Sequence, residues 1–110
     1  MGNKYRAKKT IINGIRFDSK KEANRWCDLQ IMQQAGEISN LERQVPIYLL
    51  GRDENILTPT GRKMRYVADF QYFDHRINAV VLEDSKGFPT EVFKLKKAIL
   101  AAMGVDVKIT

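Results

Sequence analysis

Cysteine, histidine and proline are scarce here: one Cys, one His and three Pro in 110 residues. The single Cys27 excludes an intrachain disulfide and a thiolate-held metal, and a reducing compartment is the expectation that follows. His75, with no acid or cysteine motif beside it, reads as a turn residue and not as a base or ligand. No apolar run approaches the roughly 18 residues that span a bilayer. The start, Met1-Gly2-Asn3-Lys4-Tyr5-Arg6, lacks the apolar stretch of a secretory signal, and Arg6 stands where a myristoylation motif wants Ser or Thr. The expected location is therefore cytoplasmic, with no membrane partner. Repeats, low-complexity tracts and linkers are absent too.

What is present is a folded composition, 44% hydrophobic and 29% charged. The length suits one domain over residues 1–110, led by a basic arm at residues 1–9. Nineteen Lys and Arg against thirteen Asp and Glu give a net charge of +6. Such an excess attracts polyanions at long range, and nucleic acid is the leading partner class.

Thr10 to Phe17 reads as strand with a turn at Asn13-Gly14. Asp18 or Ser19 can cap a helix that runs to about Ala35, where Gly36 stops it. Leu41 to Leu50 reads as a strand, placed at an edge or bulge by Pro46, and Gly51 to Arg62 as a loop. Met64 to Phe73 and Ala79 to Lys86 form a hairpin. Thr90 caps a second helix with Val92, Leu95, Ile99 and Met103 at helical spacing, and Gly104 ends it. Val105 to Thr110 returns as a parallel strand after the helical crossover. The class is α/β in the broad sense (α+β), with a central mixed sheet flanked by helices.

The chemistry concentrates in Val80-Val81-Leu82-Glu83-Asp84-Ser85-Lys86-Gly87, an apolar run ending in a carboxylate, one spacer and a lysine. On a strand, Asp84 and Lys86 project from one side, roughly 7 Å apart. Tyr66-Val67-Ala68-Asp69-Phe70 carries a second acid inside an apolar segment, where an unpaired charge is costly. A two- or four-residue hairpin loop sets Asp69 on the face of Asp84 and Lys86, whereas a three-residue loop opposes it to Glu83. The first arrangement is the expected one. Glu22 shares the helix stripe of Trp26 and Leu29, although as the third residue after Ser19 it also fits a capping box.

Two carboxylates and the main-chain carbonyl of Ser85 suit Mg²⁺ or Mn²⁺, which take oxygen ligands and keep several waters. Glu22 can complete the shell, and Lys86 can orient a nucleophile or stabilise the transition state. The plainer alternative makes Asp84 and Lys86 an exposed ion pair worth about 0–1 kcal/mol.

Glu22 on the first helix, Ala68-Asp69 on one strand, Asp84-Ser85-Lys86 on the next and the basic helix that follows resemble the PD-(D/E)xK nuclease superfamily. Within it the chain is most similar to small phage-encoded proteins related to Holliday-junction resolvases, through Phe17-Asp18-Ser19-Lys20-Lys21-Glu22-Ala23, Leu41-Glu42-Arg43-Gln44 and Glu83-Asp84-Ser85-Lys86-Gly87. The resemblance implies a restriction-endonuclease-like αβββαβ core. It makes Asp69 and Asp84 metal ligands, Lys86 the catalytic lysine and Glu22 the accessory acid, with Gln44 a weak accessory. Ala68 replaces the proline of the superfamily's name. The implied activity is Mg²⁺-dependent endodeoxyribonuclease action on structured or branched DNA in recombination, replication or repair, as a monomer or a homodimer.

Lys4, Arg6, Lys8 and Lys9 of the arm, with Lys94, Lys96 and Lys97 of the second helix, are the expected phosphate contacts, giving salt-dependent binding without sequence readout. A solvated helix face is the alternative for Lys96 and Lys97. A noncatalytic nucleic-acid-binding or partner-binding protein on the same scaffold is the other functional reading.

Overall fold

A computed structural model describes residues 9–85 and 89–110. Among them the chain forms β1 (Thr10–Ile12), β2 (Ile15–Phe17), α1 (Lys20–Gln34), β3 (Ile38–Tyr48), β4 (Arg65–Asp74), β5 (Ala79–Asp84), α2 (Glu91–Ala102) and β6 (Lys108–Ile109). From α1 onward the order is αβββαβ. β1 and β2 form a small antiparallel hairpin, and the larger sheet runs β3-β4-β5-β6, antiparallel except for the parallel β5–β6 pair. The fold is α+β with a mixed central sheet.

Local chemistry explains most of these boundaries. Asn13 and Gly14 both hold positive φ, 50° and 79°, the backbone that a tight two-residue hairpin turn requires. Ser19 accepts from the Glu22 amide and caps α1, while Thr90 accepts from the Phe93 amide and caps α2. Pro46 lies on β3, an edge strand, where a residue without an N–H is tolerated.

Two hydrophobic clusters hold the sheet. Leu29 of α1 packs with Ile38, Phe70 and Tyr72, joined by Trp26 and Val81. Phe93 and Leu100 of α2 pack with Leu49, Tyr66, Ala68 and Val107, joined by Leu82. Val81 and Leu82 are consecutive on β5 and point to opposite faces, so α1 and α2 cover opposite sides of the sheet. The same division reveals an irregularity in β4. Ala68 joins the α2 cluster and Phe70 the α1 cluster, although a regular strand would put both on one side. The interruption falls at Asp69.

Two boundaries and one helix face differ from the sequence reading. β3 begins at Ile38, not Leu41, because Ile38 is buried and pairs with Asp74, while a register shift between Ser39 and Glu42 and a positive φ at Asn40 erase the period-two pattern there. β6 spans Lys108–Ile109 and not the whole of Val105 to Thr110. On α2, Val92 and Leu95 are 61% and 62% exposed, and the fully inward residues are Phe93 and Leu100. Apolar residues occupy several adjacent directions of this helix, and the Phe93 ring, 6.0 Å from that of Tyr66, sets which direction faces the sheet. Among the described residues no helix is long and apolar enough to cross a membrane.

Candidate active site

The hairpin between β4 and β5 sets the candidate acids. Asp74 pairs with Ala79 across a four-residue loop, His75 to Asn78, and the ladder runs to Phe70 opposite Glu83. The ladder ends there, one residue short of Asp69 and Asp84. Just beyond it the Ser85 amide donates to Asp69 Oδ2 at 2.8 Å, a side-chain bond in place of a ladder bond. On the other flank, Arg43 pairs with Phe70 and Val45 with Ala68, which places Gln44 opposite Asp69. Gln44 has φ 52°, a left-handed backbone that costs a non-glycine residue roughly 1–2 kcal/mol. Strain of this kind persists only where surrounding contacts hold it. Here the Gln44 amide donates to Glu22 Oε2 at 3.2 Å.

Glu22 reaches the same place from the first turn of α1 and is 4% exposed. Its amide is capped by Ser19, but its carboxylate turns to Gln44 and to Arg43, 3.7 Å away. Only the Ser19 half of the capping box forms. Burial, then the neighbouring charges of Asp69, Asp18 and Asp84, push the Glu22 carboxyl up to about 7, against the opposing pull of Arg43. Acids from α1, β4 and β5 therefore share one electrostatic environment. Asp84 has no exposed surface and accepts a hydrogen bond from the Tyr66 hydroxyl. Burial, that bond and the charges of Asp84 and Asp69 push the Tyr66 phenol well above its ordinary range, so it stays a proton donor.

Glu83, the next residue along β5, faces the opposite side. Arg25 of α1 grips it with two bonds, Nε to Oε1 at 2.8 Å and Nη2 to Oε2 at 2.7 Å, and Tyr72 donates to it as well. Burial pushes its carboxyl up, but the bonds from Arg25 and Tyr72 outweigh burial and hold it below the ordinary glutamate value. Its counter-charges are supplied by the protein, which takes Glu83 out of the ligand set.

The donors fit a hard divalent cation in type: carboxylates of Glu22, Asp69 and Asp84 and the carbonyl of Ser85, drawn from elements that bring like charges together. Among the described residues, no three His, Cys, Asp or Glu side chains are gathered tightly enough to hold an ion as they stand. Gln44, Arg43, Tyr66 and the Ser85 amide engage these carboxylates through Glu22 Oε2, Asp84 Oδ2 and Asp69 Oδ2. A cation would have to draw the acids inward and offset both the burial and the neighbouring charges that raise Glu22.

A protein-family model described as "Protein of unknown function (DUF1064)" matches residues 2–110. The chain belongs to that family. No curated protein and no solved structure matches it. Membership in DUF1064 covers nearly the whole chain but attaches no chemistry to it, so any role for these residues rests on their geometry.

Of the residues expected from sequence, Glu22, Gln44, Asp69, Asp84 and Ser85 are brought together. Lys86, and Lys4, Arg6 and Lys8 of the arm, lie outside the described residues, while Lys9 is exposed. On α2, Lys94 is exposed and 3.4 Å from Glu91, Lys96 donates to the Arg65 carbonyl at 2.8 Å, and Lys97 is half-buried. His75 sits in the hairpin turn against Phe73 and Ser39. Sequence reasoning missed Tyr66, Arg43 and Arg25. A buried tyrosine hydroxyl needs a partner, which was a usable signal for Tyr66. Arg43 stacks over the Phe17 ring at 4.5 Å and lies 5.7 Å from that of Trp26, contacts between distant segments that no local pattern announces.

Proposed function

We propose that this chain is a metal-dependent DNA endonuclease of the PD-(D/E)xK kind, using Mg²⁺ or Mn²⁺ and acting on structured or branched DNA. The observation that carries the reading is the end of the β4–β5 ladder at Phe70 opposite Glu83, beyond which the Ser85 amide bonds Asp69, with buried Glu22 near enough that Asp69 and Asp84 add to the effect of burial in pushing its carboxyl up to about 7. A folding-only sequence has no use for three mutually repelling carboxylates at one largely buried point. The net charge of +6 supports a polyanionic substrate.

In this reading Asp69 and Asp84 hold the cation, the Ser85 carbonyl adds an oxygen and Glu22 completes the set. When bound, the ion polarises the phosphoryl group and lowers the pKa of a water. Tyr66 fixes the orientation of Asp84 by its donated bond. Gln44 and Arg43 hold Glu22 toward the cluster. Arg25 keeps Glu83 on the reverse face, so that Asp84 alone of the adjacent pair serves the site. Lys86 follows Ser85 in the chain and is assigned to the nucleophile or the transition-state charge by its sequence position.

The test is incubation with supercoiled, linear and four-way-junction DNA in Mg²⁺, Mn²⁺ or EDTA. Cleavage by the wild type with metal, lowered about 10³-fold or more in Asp84→Asn and in Lys86→Ala, is the expected result. That size follows from losing several kcal/mol of charge stabilisation at about 1.4 kcal/mol per tenfold. Equal activity in the folded variants overturns the assignment. DNA binding without metal-dependent cleavage selects the noncatalytic scaffold instead.

A further inference from the structure

A cleft of about 440 Å³ opens between α1 and the ends of β5 and β6, lined by Lys20, Lys21, Asn24, Arg25, Asp28, Ser85 and Thr110. Its volume lies in the range of small-ligand sites, about 300–1,000 Å³. The floor joins the acid cluster directly. Ser85, whose amide is bonded to Asp69, shares a hydroxyl contact of 3.1 Å with Thr110, and the Thr110 amide donates to the Asp84 carbonyl at 3.0 Å.

The charges in the cleft are unevenly committed. Arg25 is neutralised by Glu83, which leaves Lys20 and Lys21 as the available cations among the described lining residues. Asp28 lies eight residues along the helix from Lys20, about 12 Å at 1.5 Å per residue. The first turn of α1 is therefore the basic end, and the helix dipole reinforces it. Lys20 and Lys21 supply charge, Asn24 and the Ser85 and Thr110 hydroxyls supply neutral donors. That set matches the backbone phosphate of a nucleotide, and among the described residues no aliphatic or aromatic residue lines the cleft to hold a base.

We propose that this cleft binds the phosphodiester backbone of the DNA strand adjoining the acid cluster, with Lys20 and Lys21 as its phosphate contacts. The proposal deepens the nuclease reading by naming where its substrate runs, and it moves the main phosphate contact from the α2 lysines to α1. On α2, Lys94 and Lys96 already have protein partners.

The test is fluorescence anisotropy of a labelled 30-base-pair duplex and a four-way junction, in EDTA so that no cleavage intervenes, over 50–250 mM NaCl. Lys20→Ala/Lys21→Ala is expected to flatten the slope of log K against log salt by about 1.8, near 0.9 for each phosphate contact, and to weaken binding about 10- to 100-fold at 100 mM. Lys94→Ala/Lys97→Ala removes the same charge and is expected to change the slope by less than half as much. Equal losses in the two doubles, no loss in the first, or no binding by the wild type would overturn the assignment. Wild-type binding that depends on Lys20 and Lys21, without cleavage in Mg²⁺, sinks hydrolysis and leaves the cleft standing.

Discussion

Glu83 and Asp84 are consecutive, both with 0% exposure, and the protein treats them in opposite ways. Around Glu83 it places a bidentate guanidinium and a phenol, so the charge is satisfied internally and the carboxyl stays below its ordinary value. Around Asp84 it places the Tyr66 phenol and two further acids; burial first, and then the charges of Asp69, Asp18 and Asp84, push the Glu22 carboxyl up to about 7. One side of β5 is built for stability and the other stores repulsion that a cation could relieve. The difference teaches which buried acid to suspect of function: burial alone marks both, and the surroundings separate them.

Breaking the satisfied side gives the largest stability effect. Arg25→Met leaves Glu83 buried without its counter-charge and is expected to cost about 2–4 kcal/mol in urea unfolding at pH 7, with Arg25→Met/Glu83→Leu recovering most of it. A single-variant cost below about 1 kcal/mol would mean that Tyr72 suffices and the comparison is wrong.

The repelling side is sharpened by pH. Glu22 binds its proton more tightly folded, at about 7, than unfolded, near 4.5, so the native state holds the extra proton between those values. Stability therefore falls as pH rises through that window. Glu83 has the opposite sign: its contribution is present above about 4.5 and is lost as pH falls through its lower folded value. Glu22→Gln is expected to raise stability at pH 8 by about 1–2 kcal/mol, each pKa unit being worth about 1.4 kcal/mol before solvent screening at half-buried Asp69. It should change little at pH 4. Thermal melts across pH 4–8 check this, and a variant whose profile keeps the wild-type slope contradicts the shared environment of the acids. The smallest effect belongs to the positioning bond: Tyr66→Phe is expected to cost about 1 kcal/mol and to raise the Mg²⁺ concentration needed for half-maximal cleavage. An unchanged Mg²⁺ requirement would reduce Tyr66 to a core residue.

Much of this was legible along the chain because it is local. Caps at Ser19 and Thr90, the Asn13-Gly14 turn, the edge placement of Pro46 and the four-residue hairpin register depend on neighbours a few positions apart. The same holds for Glu22 sharing a stripe with Leu29, since helical periodicity alone puts them together. What local pattern misjudged was direction. Val92 and Leu95 carry the right spacing and still face outward, and the basic helix that looked most suited to phosphate spends Lys94 and Lys96 on protein partners.

Residue order and spacing by themselves determined the αβββαβ succession, the acids at positions 22, 69 and 84, and the basic excess. Only the tertiary structure decided that Glu83 is neutralised by Arg25, that β4 switches faces at Asp69, that Gln44 bends into a left-handed backbone to reach Glu22, and that a cleft lined by Lys20 and Lys21 abuts Ser85. Those features join segments from about twenty to about sixty-five residues apart, selected by packing and charge pairing across α1, β3, β4 and β5, and no one-dimensional period encodes them.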